Sequence, residues 1–248
     1  MCATFDYPEQ YRGSGRRRFL RFAGAAAMAG FTAGSLSSMP AHADALTKAQ
    51  RDGMTPEQII EIMKQGNARF RKGERKARNY LREQRASASG QYPAAVLLSC
   101  IDSRAPAEVI MDLGIGDIFN CRVAGNVENS DILGSMEFGC KLSGAKLIVV
   151  MGHTACGAIK GAIANAELCN LTGLLAKIKP AVQATVYDGD RSATNYAFVD
   201  AVARKNVELT IADIRRDSPV LAELEASGAI RIVGAMYNLG TGALTFFD

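Results

Sequence analysis

Residues 97–108, LLSCIDSRAPAE, end an apolar run in a cysteine and then set an aspartate and an arginine at two-residue steps. In an extended chain alternate residues share a face and each advances roughly 3.3 Å, so Cys100, Asp102 and Arg104 stay close together even where the strand bends away. Further along, VVMGHTACGAIKGA places His153 just after a second apolar run and Cys156 at the start of a glycine-permissive helix. Two thiolates and one imidazole are a preferred zinc set, and three protein ligands leave a fourth position for water, the mark of a catalytic rather than a closed structural site. Helix amides near Cys156 would favour its thiolate. Each residue also has a plainer reading: a lone cysteine as a small core residue, a lone histidine as a satisfied polar group, an Asp/Arg pair as an ion pair. It is their coincidence beyond two separate apolar runs that argues for a site.

The elements that must position these residues alternate. Short apolar runs at 94–101, 117–124, 145–152 and 229–239 are separated by helix-like segments near 105–112, 129–142, 156–166, 171–187 and 195–216. This predicts an α/β fold, with a mainly parallel sheet flanked by helices. Gly240-Thr241-Gly242 between two β-prone runs predicts a hairpin that adds an antiparallel edge strand near the C-terminus. Open α/β sheets bind ligands beyond the carboxyl ends of their strands, which is where both clusters fall. Ahead of the core (about 93–248), residues 55–88 read as a helical arm. Its first helix spans 55–73, with Thr55 and Gln58 as a capping box and Pro56 in the first turn. The basic stretch 71–91 reads as a solvated face or loop.

The amino terminus differs in kind. GRRRFLRFAGAAAMAGFTAGSLSSMPAHADA has paired arginines, a weakly apolar Ala/Gly stretch and small residues around Ala41 and Ala43. Residues 1–43 thus read as a twin-arginine signal peptide, placing the domain 44–248 in the periplasm or otherwise outside by that route. The competing reading is a membrane anchor, but the stretch 22–36 is shorter and richer in glycine than the roughly 20 strongly apolar residues a span needs. Taking five arginines and two acids from 29 basic and 25 acidic residues leaves 24 and 23. The basic excess therefore belongs to the signal; neither a nucleic-acid partner nor stable membrane insertion after cleavage is expected. Cleavage also removes Cys2 and His42, leaving His153 as the sole histidine and an odd number of cysteines, which argues against a full disulfide framework. Cys121 and Cys140 read as core residues, and a disulfide among Cys121, Cys140 and Cys169 stays open.

Cys100-x-Asp102-x-Arg104 followed by His153-x-x-Cys156-Gly157 resembles the β-class carbonic anhydrases. The resemblance extends through Gln91, Phe119, the segment Arg122-Val123-Ala124-Gly125-Asn126 and the helix bearing Gly66-Asn67-Ala68-Arg69-Phe70. It implies one zinc ion on Cys100, His153 and Cys156, and reversible hydration of carbon dioxide to bicarbonate and a proton by a zinc-bound hydroxide. It also implies a homodimer or higher homo-oligomer. Asp102 and Arg104 would be the catalytic dyad, Asp102 accepting the hydroxide's hydrogen bond while Arg104 holds it off the metal. If that clasp opens, Asp102 becomes the fourth zinc ligand of a closed state. Gln91, Phe119, Ala124 and Gly157 are the implied substrate-binding residues, although Gln91 also fits a loop cap and Phe119 and Ala124 plain core.

The sequence departs from many relatives at Phe138, where they carry tyrosine, and at Leu97, where some carry a tryptophan of a regulatory bicarbonate pocket. With His153 assigned to zinc, no histidine remains as a proton shuttle. Two other functions fit the same fold: a non-catalytic zinc- or bicarbonate-binding homologue, and a hydrolase acting on carbon disulfide.

Overall fold

The computed structural model describes residues 45–247; the predicted signal segment lies outside them. Among the described residues, three helices precede the sheet: α1 (Lys48–Asp52), α2 (Pro56–Lys72) and α3 (Tyr80–Ser87). The expected capping box opens α2, with the Thr55 N–H donating to Gln58 at 2.9 Å. Strand β1 (Ala95–Ser99) is followed by the short α4 (Ala107–Ile110), β2 (Ile118–Arg122), a tight turn at Ala124–Asn126 and α5 (Ser130–Glu137). A wide helical turn, Phe138–Leu142, extends α5 before β3 (Leu147–His153). Then come α6 (Gly157–Ile163), α7 (Cys169–Ala184), α8 (Tyr196–Asp217), α9 (Pro219–Ala226), β4 (Arg231–Tyr237) and β5 (Leu244–Phe247).

The strands form one sheet in the order β2-β1-β3-β4-β5, with every pair parallel except β4 and β5. The predicted α/β class and antiparallel edge are therefore what the chain adopts. Every residue of β1 and β3 is buried, as expected of apolar strands covered on both faces. From β1 the chain moves to β2 on one side and then returns to β3 on the other, so a topological switch point lies between β1 and β3. Ser99 pairs with Met151, and β3 runs on to His153. Cys100 and His153 thus leave the sheet at neighbouring strand ends.

Local chemistry moved several boundaries. The helix expected over 105–112 is a single turn, closed off where Asp112 takes a left-handed φ of 50°. Helix α9 has no counterpart in the sequence reading. The basic stretch 71–91 is not merely solvated. Arg78 pairs with the buried Glu83 at 3.1 Å and donates to the Asp112 carbonyl at 2.6 Å, and Arg75 stands 3.6 Å from the Asp112 carboxylate, which Arg69 of α2 also meets at 2.7 Å. Desolvated pairs of this kind hold the arm on the core, and losing one partner strands a buried charge.

Helix α2 adds further ties. A Cβ on Gly66 would lie 1.8 Å from the Met111 carbonyl oxygen, so only glycine permits the close approach. Asn67 donates to the carbonyls of Ile110 and Gly242 and accepts from the Leu244 N–H. It joins the arm to α4 and to the β4–β5 hairpin. The disulfide left open among Cys121, Cys140 and Cys169 is not made between any two of them, because Cys121 and Cys140 are free thiols. Among the described residues, no helix is long and apolar enough to cross a membrane.

Candidate metal centre and active site

Cys100 follows β1, His153 ends β3 and Cys156 caps α6. All three are buried, and their donor atoms lie within 4.8 Å of one another, with the two sulfurs 4.0 Å apart. His153 Nδ1 sits 2.9 Å from the Thr154 carbonyl, an acceptor only, so Nδ1 carries the proton and Nε2 the lone pair. Nε2 is buried and has no hydrogen-bond partner. A buried lone pair beside two sulfurs is what a cation would satisfy.

The electrostatics agree. The hydrogen bond with Cys156 lowers Cys100 to about 4, helped by His153 and the Gly125 N–H, which reaches its sulfur at 3.4 Å. Cys156 is pushed up, first by its contact with Cys100 and then by burial. Two sulfurs this close cannot both ionise in a buried site unless a positive charge lies between them. Burial pulls His153 down, but the Cys100 sulfur, the Thr154 carbonyl and Asp102 outweigh it, and its net shift is upward.

Asp102 stands beside this cluster, with Oδ2 3.8 Å from His153 Nε2. Arg104 clasps it: Nε donates to Oδ1 at 2.9 Å, Nη2 to Oδ2 at 2.7 Å, and the Arg104 backbone N–H to Oδ1 at 2.9 Å. The Arg104 hydrogen bonds, opposed by partial desolvation, hold the carboxyl down to about 2. It is therefore an ionised acceptor throughout the neutral range. The loop bearing Asp102 is itself pinned from β2, where Arg122 donates to the carbonyls of Cys100 at 2.9 Å and Asp102 at 2.6 Å.

Asn206 of α8 donates to the Gly125 carbonyl at 2.8 Å, fixing the turn that offers its N–H to Cys100. Gly125 has φ 72°, and a Cβ there would meet Ile178 at 2.6 Å. The sequence reading missed the supporting roles of Arg122 and Asn206. Only the resemblance drew attention to the segment that contains Arg122.

A cleft of about 470 Å³ opens onto the cluster, walled by Cys100, Asp102, Ala124 and Gly157 together with the apolar Ile101 and Leu171. Gln91 and Phe119 are not brought there. Gln91 is exposed on the connection into β1, and Phe119 lies on the edge strand β2, stacked edge to face with Phe138 at 6.1 Å. For Phe119 the register is the reason: it pairs with Val96, four residues short of Cys100, and so lies along the sheet rather than at the strand ends.

Fold and site together define an α/β protein with a Cys-His-Cys centre at the switch point of its sheet. Residues 95–244 match the carbonic anhydrase family profile. Carbonic anhydrase 2 of Mycobacterium tuberculosis is 35% identical over 194 residues, covering 76% of this chain and 91% of the relative. The carbonic anhydrase of Pseudomonas aeruginosa is 30% identical over 191 residues, covering 74% and 85%. Among solved structures, a tetrameric β-carbonic anhydrase of Sordaria macrospora superposes with a TM-score of 0.59 at 27% identity, covering 65% of this chain and 83% of that one. The chain belongs to the carbonic anhydrase family, in its β class, and is an enzyme of carbon dioxide hydration.

Proposed function

We propose that the chain holds one zinc ion on Cys100, His153 and Cys156 and uses it to interconvert carbon dioxide and bicarbonate. The observation that carries this reading is the buried, partnerless Nε2 of His153 among two sulfurs that cannot both be anionic without a cation. When bound, zinc supplies a Lewis-acid charge that makes a water nucleophilic near neutral pH.

The remaining work falls to the chain. Ionised Asp102 accepts the nucleophile's hydrogen bond and so turns its lone pair toward the cleft, where carbon dioxide sits against Ala124 and Ile101. Arg104 keeps that carboxylate ionised and turned aside, and Arg122 keeps its backbone in register. Asp102 would be free to reach a bound ion only where both side-chain bonds to Arg104 have broken. No second histidine is available among the described residues, so the proton leaves through water, carboxylates or buffer.

The unpaired edge of β2, with Phe138 half exposed beside Phe119, is the surface we assign to a second copy. Gln91 and Phe119 join a substrate pocket only if such a copy supplies them. Light scattering on the purified chain should give a dimer or larger, and a monomer would refute this. Export by the twin-arginine route would let zinc enter the folded chain before its thiols meet an oxidising space. Replacing Arg16 and Arg17 by lysine should then retain the precursor inside, and unchanged export would remove the idea.

The test of the function is zinc content together with hydration rate, measured beside carbon disulfide hydrolysis. One zinc per chain with faster turnover of carbon dioxide is expected. Metal-free active protein, or preference for the sulfur substrate, would overturn the proposal.

A further inference from the structure

The turn that carries two of the three metal donors, His153-Thr154-Ala155-Cys156, is strained at its centre. Ala155 has φ 54°, a left-handed conformation that a residue with a Cβ adopts at a cost and keeps only where its surroundings impose it. Thr154 is fixed to the strand behind it: its N–H donates to the Tyr237 carbonyl at 3.0 Å, and its hydroxyl accepts from the Leu239 N–H at 3.0 Å. Ala155 is held from elsewhere. Its N–H donates to Asp200 Oδ1 at 2.7 Å, a charge-assisted bond to a side chain on α8. Phe198, Val199 and Val202 around Asp200 are fully buried, so packing fixes where that carboxylate stands. Nothing in the mechanism above uses it.

We infer that Asp200 is a positioning residue for the metal centre, its carboxylate locking the Ala155 turn so that His153 and Cys156 meet one ion at the right angle. This rests on the zinc reading. Asp200 touches neither metal nor substrate; it acts by limiting how far the Cys156 end of the turn can swing, and so sets how tightly the ion is retained. Groups that orient metal ligands change metal affinity by roughly 10–100-fold when removed.

The experiment follows zinc release to a chelator from the zinc-loaded protein and the visible spectrum of its cobalt-substituted form. Asp200→Ala should release zinc about ten-fold faster or more and weaken the cobalt bands, while Asp200→Asn, which keeps an oxygen to accept the N–H, should stay near the unmodified protein. Thermal melting of zinc-loaded and stripped forms separates the effects: the alanine variant should lose melting temperature mainly in the loaded form. Release at the unmodified rate from Asp200→Ala overturns the inference, as does Asp200→Asn behaving like alanine or an equal loss in both forms.

Should the alanine variant not fold, hydrogen exchange at the Ala155 amide of the unmodified zinc protein decides: slow exchange is expected, and free exchange contradicts the lock. An unmodified chain that binds no zinc sinks the earlier reading instead, so the two failures stay distinct.

Discussion

The four described free cysteines fall into two regions whose chemistry is opposed. At the carboxyl ends of β1 and β3, Cys100 and Cys156 face each other across 4.0 Å, beside an imidazole and within reach of the Gly125 N–H. Near the β2 edge, Cys121 and Cys140 pack among apolar side chains. Burial pushes Cys140 up to about 12 and raises Cys121 as well, with no polar contact to oppose it. Residue type is the same in both regions and depth is similar for Cys100 and Cys140. What separates Cys100 from Cys140 is the set of donors around the sulfur, which the end of β1 supplies and the Phe138–Leu142 turn does not.

Breaking the first region should have the largest effect. Cys156→Ser or Cys100→Ser is expected to lose zinc and to bring hydration close to the uncatalysed rate, as metal analysis and stopped-flow assay would show. A zinc-loaded, active serine variant would erase the contrast. Next in size is Asp102→Asn, which keeps shape and metal but loses the acceptor-only carboxylate. We expect full zinc content with a rate about 100-fold lower, the lower end of what a positioned proton acceptor contributes. An equal loss of zinc would make Asp102 a ligand rather than an orienting group.

The remaining tests are smaller. Hydration should quicken with rising buffer concentration, since His153 is committed to the cluster, and buffer-independent turnover would point to an internal shuttle. On the other side of the comparison, Cys140→Ala should leave the rate unchanged and cost about 1–2 kcal/mol of stability in urea melts, the range for a small core truncation.

The pH dependence of that stability has a defined sign. Cys140 in the folded chain is raised from 9.0 to about 12, so its contribution is complete below pH 9 and is lost as pH climbs toward 12. Cys140→Ala should flatten the alkaline fall in stability over that window. A fall unchanged in the variant would assign it to other groups.

Much of this was legible in the sequence because it is local. Apolar runs at strand length, the capping box at Thr55 and Gln58, and the spacing of Cys100, Asp102 and Arg104 are all short-range patterns. The supporting contacts were not legible, because they join residues far apart in the chain. Asp200 with Ala155, Asn206 with Gly125 and Arg122 with the Cys100 carbonyl leave no periodicity to read. The same applies to the arm, where Arg75 and Arg78, which read as solvated, are tied to Asp112 and Glu83. Gln91 and Phe119, suggested by resemblance alone, stand apart from the cleft, and a motif match reports kinship rather than where in the fold a side chain lies.

The central claim is a metal held by two sulfurs and one imidazole with one position left for solvent. X-ray absorption at the zinc edge of the purified, reduced protein tests it most directly. Two sulfur scatterers near about 2.3 Å and one imidazole nitrogen near about 2.0–2.1 Å, with a single further light atom, are predicted. A shell of four sulfurs, or one made only of nitrogen and oxygen, would contradict the account.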